Sequence, residues 1–420
     1  MKNMKRILVI QLALLVFAGS AAAQNLPSKW KMMKATRNSF EMLWEADSSH
    51  IAATECGEGY VDAPKCENMK DGDLWTFHFP VRGLEAGSYF EFDIMLGSKP
   101  ASPKYYEVEY LDGNVWKNAG EVKCTGGSSE SSDIMRTFRL ENAVGDGEVL
   151  VRLRVKGDEI CRKEALGDAD ADSHVKLMPY GYIGAYARVA GTTRPRDTTK
   201  VGYLGNSFTF VNSGDFILKE LAWAEGHYLD MHVNSYPGAS FRSHFSLEGS
   251  LDVISEGDYD WFILQDQSQQ AGKYGRDSLK AIMDYTKSIA SLIRYFSPEV
   301  RILYEHTWAY SEGNYGGFGS FNDFDRYSTA GADMLSSAIK AEKSPIAAAF
   351  AIVRSERADI EIYSTDFQHP AAYGAYLKAC CNYLSIFGEP FTGSDANFAL
   401  NPEICAYLRS VAERCCLTAK

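Results

Sequence analysis

Between residues 30 and 189 apolar and polar positions alternate in short runs broken by Gly, Asp and Asn. The clearest are Leu74-Trp75-Thr76-Phe77-His78-Phe79, Tyr89-Phe90-Glu91-Phe92-Asp93-Ile94 and Val149-Leu150-Val151-Arg152-Leu153-Arg154-Val155. A period of two is that of a strand with one buried face, so each run predicts a half-buried β-strand. With no helical periodicity between them, these strands predict an all-β, jelly-roll-like sandwich over residues 24–190. Within it, Tyr105-Tyr106-Glu107-Val108-Glu109-Tyr110, then Asp112-Gly113-Asn114, then Trp116 reads as strand, tight turn and strand. Its aromatics are expected chiefly in the core, with stacking on sugar rings as the alternative.

The pattern changes after residues 191–200, a polar, proline-bearing stretch without periodicity that predicts a linker. From 201 to 420 short apolar runs alternate with longer amphipathic ones. Residues 201–204 precede a helix over 218–225, residues 261–264 a helix over 282–295, and residues 302–304 a helix over 330–339. This alternation predicts a three-layer, doubly wound α/β domain with a mainly parallel sheet. Its ligands are expected at the carboxyl ends of the strands.

The first 23 residues stand apart. Lys2, Lys5 and Arg6 precede an apolar run that closes on Ala21-Ala22-Ala23, the layout of a cleaved secretory leader. No later stretch approaches the roughly 20 apolar residues that a membrane span needs. The expected location is periplasmic or secreted. A formal net charge of −12 argues against a nucleic-acid partner, which calls for a basic surface. The nine cysteines include no Cys-x-x-Cys pair to suggest zinc. Cys56 and Cys66 could close a small loop, and Cys380, Cys381, Cys405, Cys415 and Cys416 lie in two segments expected to pack together. The run Asp168-Ala169-Asp170-Ala171-Asp172-Ser173-His174 begins like a calcium loop but lacks the glycine and distal glutamate of an EF-hand, so a solvated loop is expected.

Gly205-Asn206-Ser207 stands where the first α/β strand turns into a helix, a place that presents a serine hydroxyl at the sheet rim beside a helix N-terminus. Far downstream, Asp366-Phe367-Gln368-His369-Pro370 precedes an apolar helix, with Pro370 expected at its first position. A carboxylate three residues from a histidine in such a loop can hold one imidazole nitrogen while the other faces outward.

Gly-Asn-Ser early and Asp-x-x-His-Pro late resemble the first and last sequence blocks of the SGNH (GDSL-like) hydrolases, three-layer α/β esterases, over about residues 199–388. Tyr236-Pro237-Gly238-Ala239-Ser240 resembles the block whose glycine N–H helps form the oxyanion hole. Gln265-Asp266-Gln267-Ser268 stands where the family carries Gly-x-Asn-Asp. The resemblance implies a catalytic triad of Ser207, Asp366 and His369. It implies an oxyanion hole of the Ser207 and Gly238 N–H groups with the Gln267 amide, Gln265 being the competing donor. Asn206 replaces the more usual aspartate and is given no catalytic role. No metal or cofactor is expected.

His306 and Trp308, at the end of the fourth α/β strand, are candidates to line the substrate pocket, against a purely packed role. The implied function is an exported esterase acting on acylated carbohydrate, acetyl groups above all. A glycan-binding protein with a degenerate hydrolase domain and a lipase or thioesterase on longer chains are the rivals. A chain beginning near residue 198 is expected to fold and to keep the whole site.

Overall fold

The computed structural model describes residues 43–46, 71–84, 89–98, 102–124, 132–141, 145–161, 183–190, 198–312, 317–392, 396–398 and 400–417. The leader, Cys56, Cys66, the acidic run at 168–174 and most of the expected linker lie outside them.

Among the described residues eight antiparallel strands come first: β1 (Leu43–Ala46), β2 (Leu74–Leu84), β3 (Tyr89–Ser98), β4 (Tyr105–Asp112), β5 (Val115–Lys123), β6 (Ser132–Glu141), β7 (Gly145–Val155) and β8 (Ile183–Ala190). The order β1-β2-β7-β4-β5 makes a separate sheet whose packed face includes Tyr106, Val108, Val122, Val151, Leu153 and Val155. The predicted hairpin is β4–β5, joined at Gly113 with φ +62°. Tyr106 is buried as expected, and the ring of Trp116 is covered by the Arg152 guanidinium 4.1 Å away.

The second half alternates as predicted. β9 (Thr198–Gly205) leads to α1 (Ser207–Phe210) and α2 (Gly214–Ala224), and β10 (Tyr228–Ser235) to α3 (Phe241–His244) and α4 (Glu248–Glu256). β11 (Trp261–Leu264) leads to α5 (Gln270–Asp277) and α6 (Lys280–Phe296), β12 (Arg301–Glu305) to α7 (Phe321–Ala338), and β13 (Glu342–Ser344) to α8 (Ile346–Glu356). Two helices follow, α9 (Ala372–Phe387) and α10 (Pro402–Cys416). β9 begins earlier than expected because Thr198, Thr199 and Lys200 pair in parallel with Tyr228, Leu229 and Asp230.

The five strands run parallel in the order β13-β12-β11-β9-β10. Being covered on both faces, they read as apolar runs, and alternate residues enter different cores. Val201, Tyr203, Ile263 and Leu303 pack with α2, α8, α9 and α10 on one face. Leu204, Phe262, Leu264, Ile302 and Tyr304 pack with α4, α6 and α7 on the other. Helices α9 and α10 also bring the late cysteines together, where Cys380, Cys381, Cys405, Cys415 and Cys416 carry free thiols. The direction of connection reverses between β9 and β11, and such a switch point opens a crevice at the carboxyl ends of the strands.

The sheet does not end at β10. β6 adds to it antiparallel, through Met135, Ile134 and Asp133 opposite Val233, Asn234 and Ser235, and β3 and β8 continue beyond. Lys123 of β5 also pairs with Glu248 at 2.7 Å and Asp252 at 2.8 Å on α4. A chain starting at Thr198 would keep every candidate site residue but leave β10 as an unpaired edge, a template for association. Its expected behaviour is a lower Tm and concentration-dependent self-association by sedimentation. A monomer melting with the full chain would show that the junction contributes nothing.

Candidate active site

Gly205 ends β9 and leaves no room for a side chain. A Cβ there would lie 2.0 Å from Thr209 Oγ1 and 3.0 Å from Gln265 Oε1. The glycine thus lets Gln265, arriving from the end of β11, reach the turn, where its Oε1 accepts from Asn206 N at 2.9 Å and Thr209 Oγ1 at 3.0 Å. Asn206 then caps α1, its Oδ1 accepting from Phe208 N at 3.0 Å, so Ser207 becomes the first helical residue.

The other two loops are tied to the same residue. Asn206 Nδ2 donates to Ala239 O at 2.9 Å, after β10, and to Asp266 O at 3.2 Å, after β11. Tyr236 N donates to Gly205 O at 3.2 Å. Asp266 closes the circuit, its Oδ1 accepting from Phe241 N at 2.9 Å and Gln267 N at 2.8 Å. Asn206, set aside from the sequence, is therefore the buried hub joining the three loops.

The loop after α8 carries the remaining pair. Ser364 N donates to His369 O and Phe367 N to Ser364 O, while Ala371 N donates to Ile362 O, closing a compact turn. Pro370 does not start the helix as expected. It pairs in a bridge with Tyr363, and its carbonyl accepts from Asn212 Nδ2 at 2.8 Å, so α9 begins two residues later. Within the turn, Asp366 Oδ1 accepts from Gln368 N and His369 N, each at 3.0 Å, and Oδ2 meets His369 Nδ1. A carboxylate accepts only, so Nδ1 carries the proton and Nε2 is left to accept from the Ser207 hydroxyl, 2.8 Å away. Partial burial alone would raise the Asp366 pKa, but the His369 and backbone hydrogen bonds outweigh it and hold the carboxyl below its usual range.

Of the two roles weighed for His306 and Trp308, both residues take the packed one. Trp308 is fully buried, stacked between Phe208 (4.8 Å) and Phe350 (4.1 Å), and its Nε1 donates to Gln368 O at 2.9 Å. It braces the Asp366–His369 turn from behind and offers no face to a ligand. His306 is 2% exposed with Nε2 3.2 Å from Ser328 Oγ, and burial pushes its pKa down to about 3, so it is a neutral core residue. Both belong to the packed alternative. Two further braces carried no signal in the sequence: Ser311 N donates to Phe367 O at 2.9 Å, and Tyr363 OH to Ala309 O at 2.9 Å.

Gly238 has φ +67° and faces open space, with no atom within 4 Å of where a Cβ would stand. A left-handed backbone with nothing in front suits a group that lets a ligand approach its N–H. The two glutamines differ sharply. Gln265 is fully buried, its Oε1 engaged by the Ser207 turn and its Nε2 by Asp266 O. Gln267 is half-buried, and its Oε1 accepts from Gln269 N at 3.0 Å, so Nε2 is the side chain's donor end.

No protein-family model matches this sequence, and no curated protein does. Among solved structures it is similar to a DUF4886 family protein from Bacteroides uniformis, at 18% identity and TM-score 0.42 over 52% of this chain and 94% of that one. A Slackia heliotrinireducens protein described as a candidate SGNH hydrolase matches at 20% identity and TM-score 0.37, over 45% of this chain and all of that one. A carbohydrate esterase family 2 enzyme with a carbohydrate-binding domain, from Corynascus thermopiles, matches at 11% identity and TM-score 0.36, over 78% and 95%. At these identities and scores none of them fixes what this chain does.

Asp266 gives the site a pH signature. Burial pushes its carboxyl up to about 7 against the two backbone N–H donors. The folded chain thus binds this proton more tightly than the unfolded one. The stabilisation is complete below about pH 4 and is lost as pH rises through about 7. Asp266→Asn, which keeps an accepting oxygen, should gain in Tm relative to the parent by roughly 5 °C between pH 4 and pH 8. A difference in Tm that does not change with pH would contradict this.

Proposed function

We propose that this chain is a serine hydrolase acting on esters, and that its substrate is a small acyl group, acetyl above all, on carbohydrate outside the cytoplasm. The observation that carries the reading is the unbroken line from Ser207 Oγ through His369 Nε2, 2.8 Å away, to Asp366 on Nδ1. In it His369 takes the Ser207 proton as the oxygen attacks the ester carbonyl, then returns it to the leaving alcohol. Water, deprotonated by the same imidazole, releases the acyl group. Asp366 keeps the imidazole in the required tautomer and steadies the cation formed at each step.

The oxyanion faces the N–H groups of Ser207 and Gly238, neither of which makes a backbone hydrogen bond with another described residue, and Gln267 Nε2. Each such donor contributes up to about 3 kcal/mol to lowering the barrier. The carbohydrate assignment rests on the leader-like N-terminus, the net charge of −12 and the β-rich first half. No metal or cofactor takes part in these steps.

The purified chain should release para-nitrophenol from the acetate ester and acetate from acetylated polysaccharides. Ser207→Ala and His369→Ala should each remove nearly all turnover, with the double variant little worse, because a base without its nucleophile has nothing to activate. Gln267→Ala should lower kcat by about 10 to 1,000-fold at nearly constant KM. Absence of serine-dependent release would favour a binding protein, and rates rising with acyl length would favour a lipase or thioesterase.

A further inference from the structure

Behind the nucleophile lies a charge pair with no part in the chemistry above. Lys378, in the apolar run Leu377-Lys378-Ala379-Cys380 of α9, is 1% exposed, and its Nζ is 3.2 Å from Glu305 Oε1 at the end of β12. The other carboxylate oxygen accepts from Tyr203 OH and from Asn382 Nδ2 at 3.1 Å, and Asn382 Oδ1 accepts from Ser344 Oγ at 2.8 Å. Asp215 stands in the same buried region, its carboxyl pushed up to about 6 by burial against the pull of Lys378.

Burying two charges carries a large desolvation cost before their attraction is counted, so such a pair adds little net stability by itself. What distinguishes this one is the other bond of the cation. Lys378 Nζ donates to Phe208 O at 2.9 Å, the carbonyl of the residue next to Ser207. Phe208 is then held at every group: its N–H by Asn206, its carbonyl by Lys378, and its ring between Trp308 and the edge of His369, 5.0 Å away. α1 has only four residues and cannot supply such rigidity from its own hydrogen bonds.

We propose that Lys378, anchored by Glu305, is a positioning residue that fixes Ser207 in line with His369 through the Phe208 carbonyl. This rests on the esterase reading of the site. Loss of the bond lets α1 shift, and displacements near 1 Å cost catalysis up to about 100-fold without altering ground-state binding.

The test compares the parent with Lys378→Met and with the double variant Lys378→Met/Glu305→Gln, using kcat and KM on para-nitrophenyl acetate beside Tm and near-ultraviolet circular dichroism. The single variant strands the Glu305 charge and should lose stability. The double variant removes both charges, keeps an acceptor for Tyr203 and Asn382, and should recover much of the Tm. Positioning predicts that the double variant, although folded, stays about 10 to 100-fold low in kcat with KM within about threefold. Parent-like kcat in the double variant overturns the proposal, because activity then follows stability alone. So does failure of both variants to fold, which makes the pair a requirement of folding only. A parent without Ser207-dependent turnover would instead refute the esterase reading, and this inference with it.

Discussion

Ser207 can stay in line with His369 only if three loops, delivered separately by β9, β10 and β11, are locked to one another. The lock is the side chain of Asn206. Its oxygen holds Phe208 N, while its nitrogen holds the carbonyls of Ala239 and Asp266. The residue is 2% exposed, so each of these bonds, once broken, leaves a buried group without water to replace its partner, at about 1 to 3 kcal/mol. Gln265 repeats the device from the opposite direction by accepting from Asn206 N and Thr209 Oγ1. Together they convert loops at the carboxyl ends of the strands, where chain is ordinarily mobile, into a fixed template for Ser207 and Gly238.

The site has a dry back and a wet front. Behind Ser207 the Phe208, Trp308 and Phe350 rings stack, and Lys378 and Glu305 are sealed from solvent. In front, the Asp366 and His369 side chains are 43% and 29% exposed, and Phe367 is held outward beside them with φ +63°. A hydrogen bond that water reaches contributes little to stability, and what the Asp366 carboxylate fixes at Nδ1 is the orientation and tautomer of the imidazole ring. Rigidity is supplied from the buried side, and the Asp366–His369 pair is left where solvent reaches it.

How much of this the sequence disclosed follows from how local each feature is. The strands read from alternation and from apolar runs lie where expected, residues 261–264 matching β11 to the residue. The grouping of Ser207 with His369 and Asp366 was legible because a strand-end serine and an Asp-x-x-His turn are short-range patterns. The roles of Asn206, Gln265 and Trp308 were not, since each depends on partners some 30 to 60 residues away. Trp308 in particular was a candidate for the pocket set against a packed role, and its indole N–H serves the carbonyl of Gln368. Lys378 and Glu305 did leave a trace, as opposite charges embedded in otherwise apolar runs. Nor does a strand pattern disclose which sheet a strand will join, and β6 pairs with β10.

The proposed chemistry requires that His369 activate the Ser207 hydroxyl. A fluorophosphonate, which reacts with activated serines and spares ordinary ones, reports this without any assumption about the natural substrate. Intact mass and peptide mapping should find one equivalent of phosphonate per chain, on Ser207, with labelling nearly abolished in a folded His369→Ala variant. Label on another residue, or Ser207 labelled as fast without His369 as with it, would contradict the account.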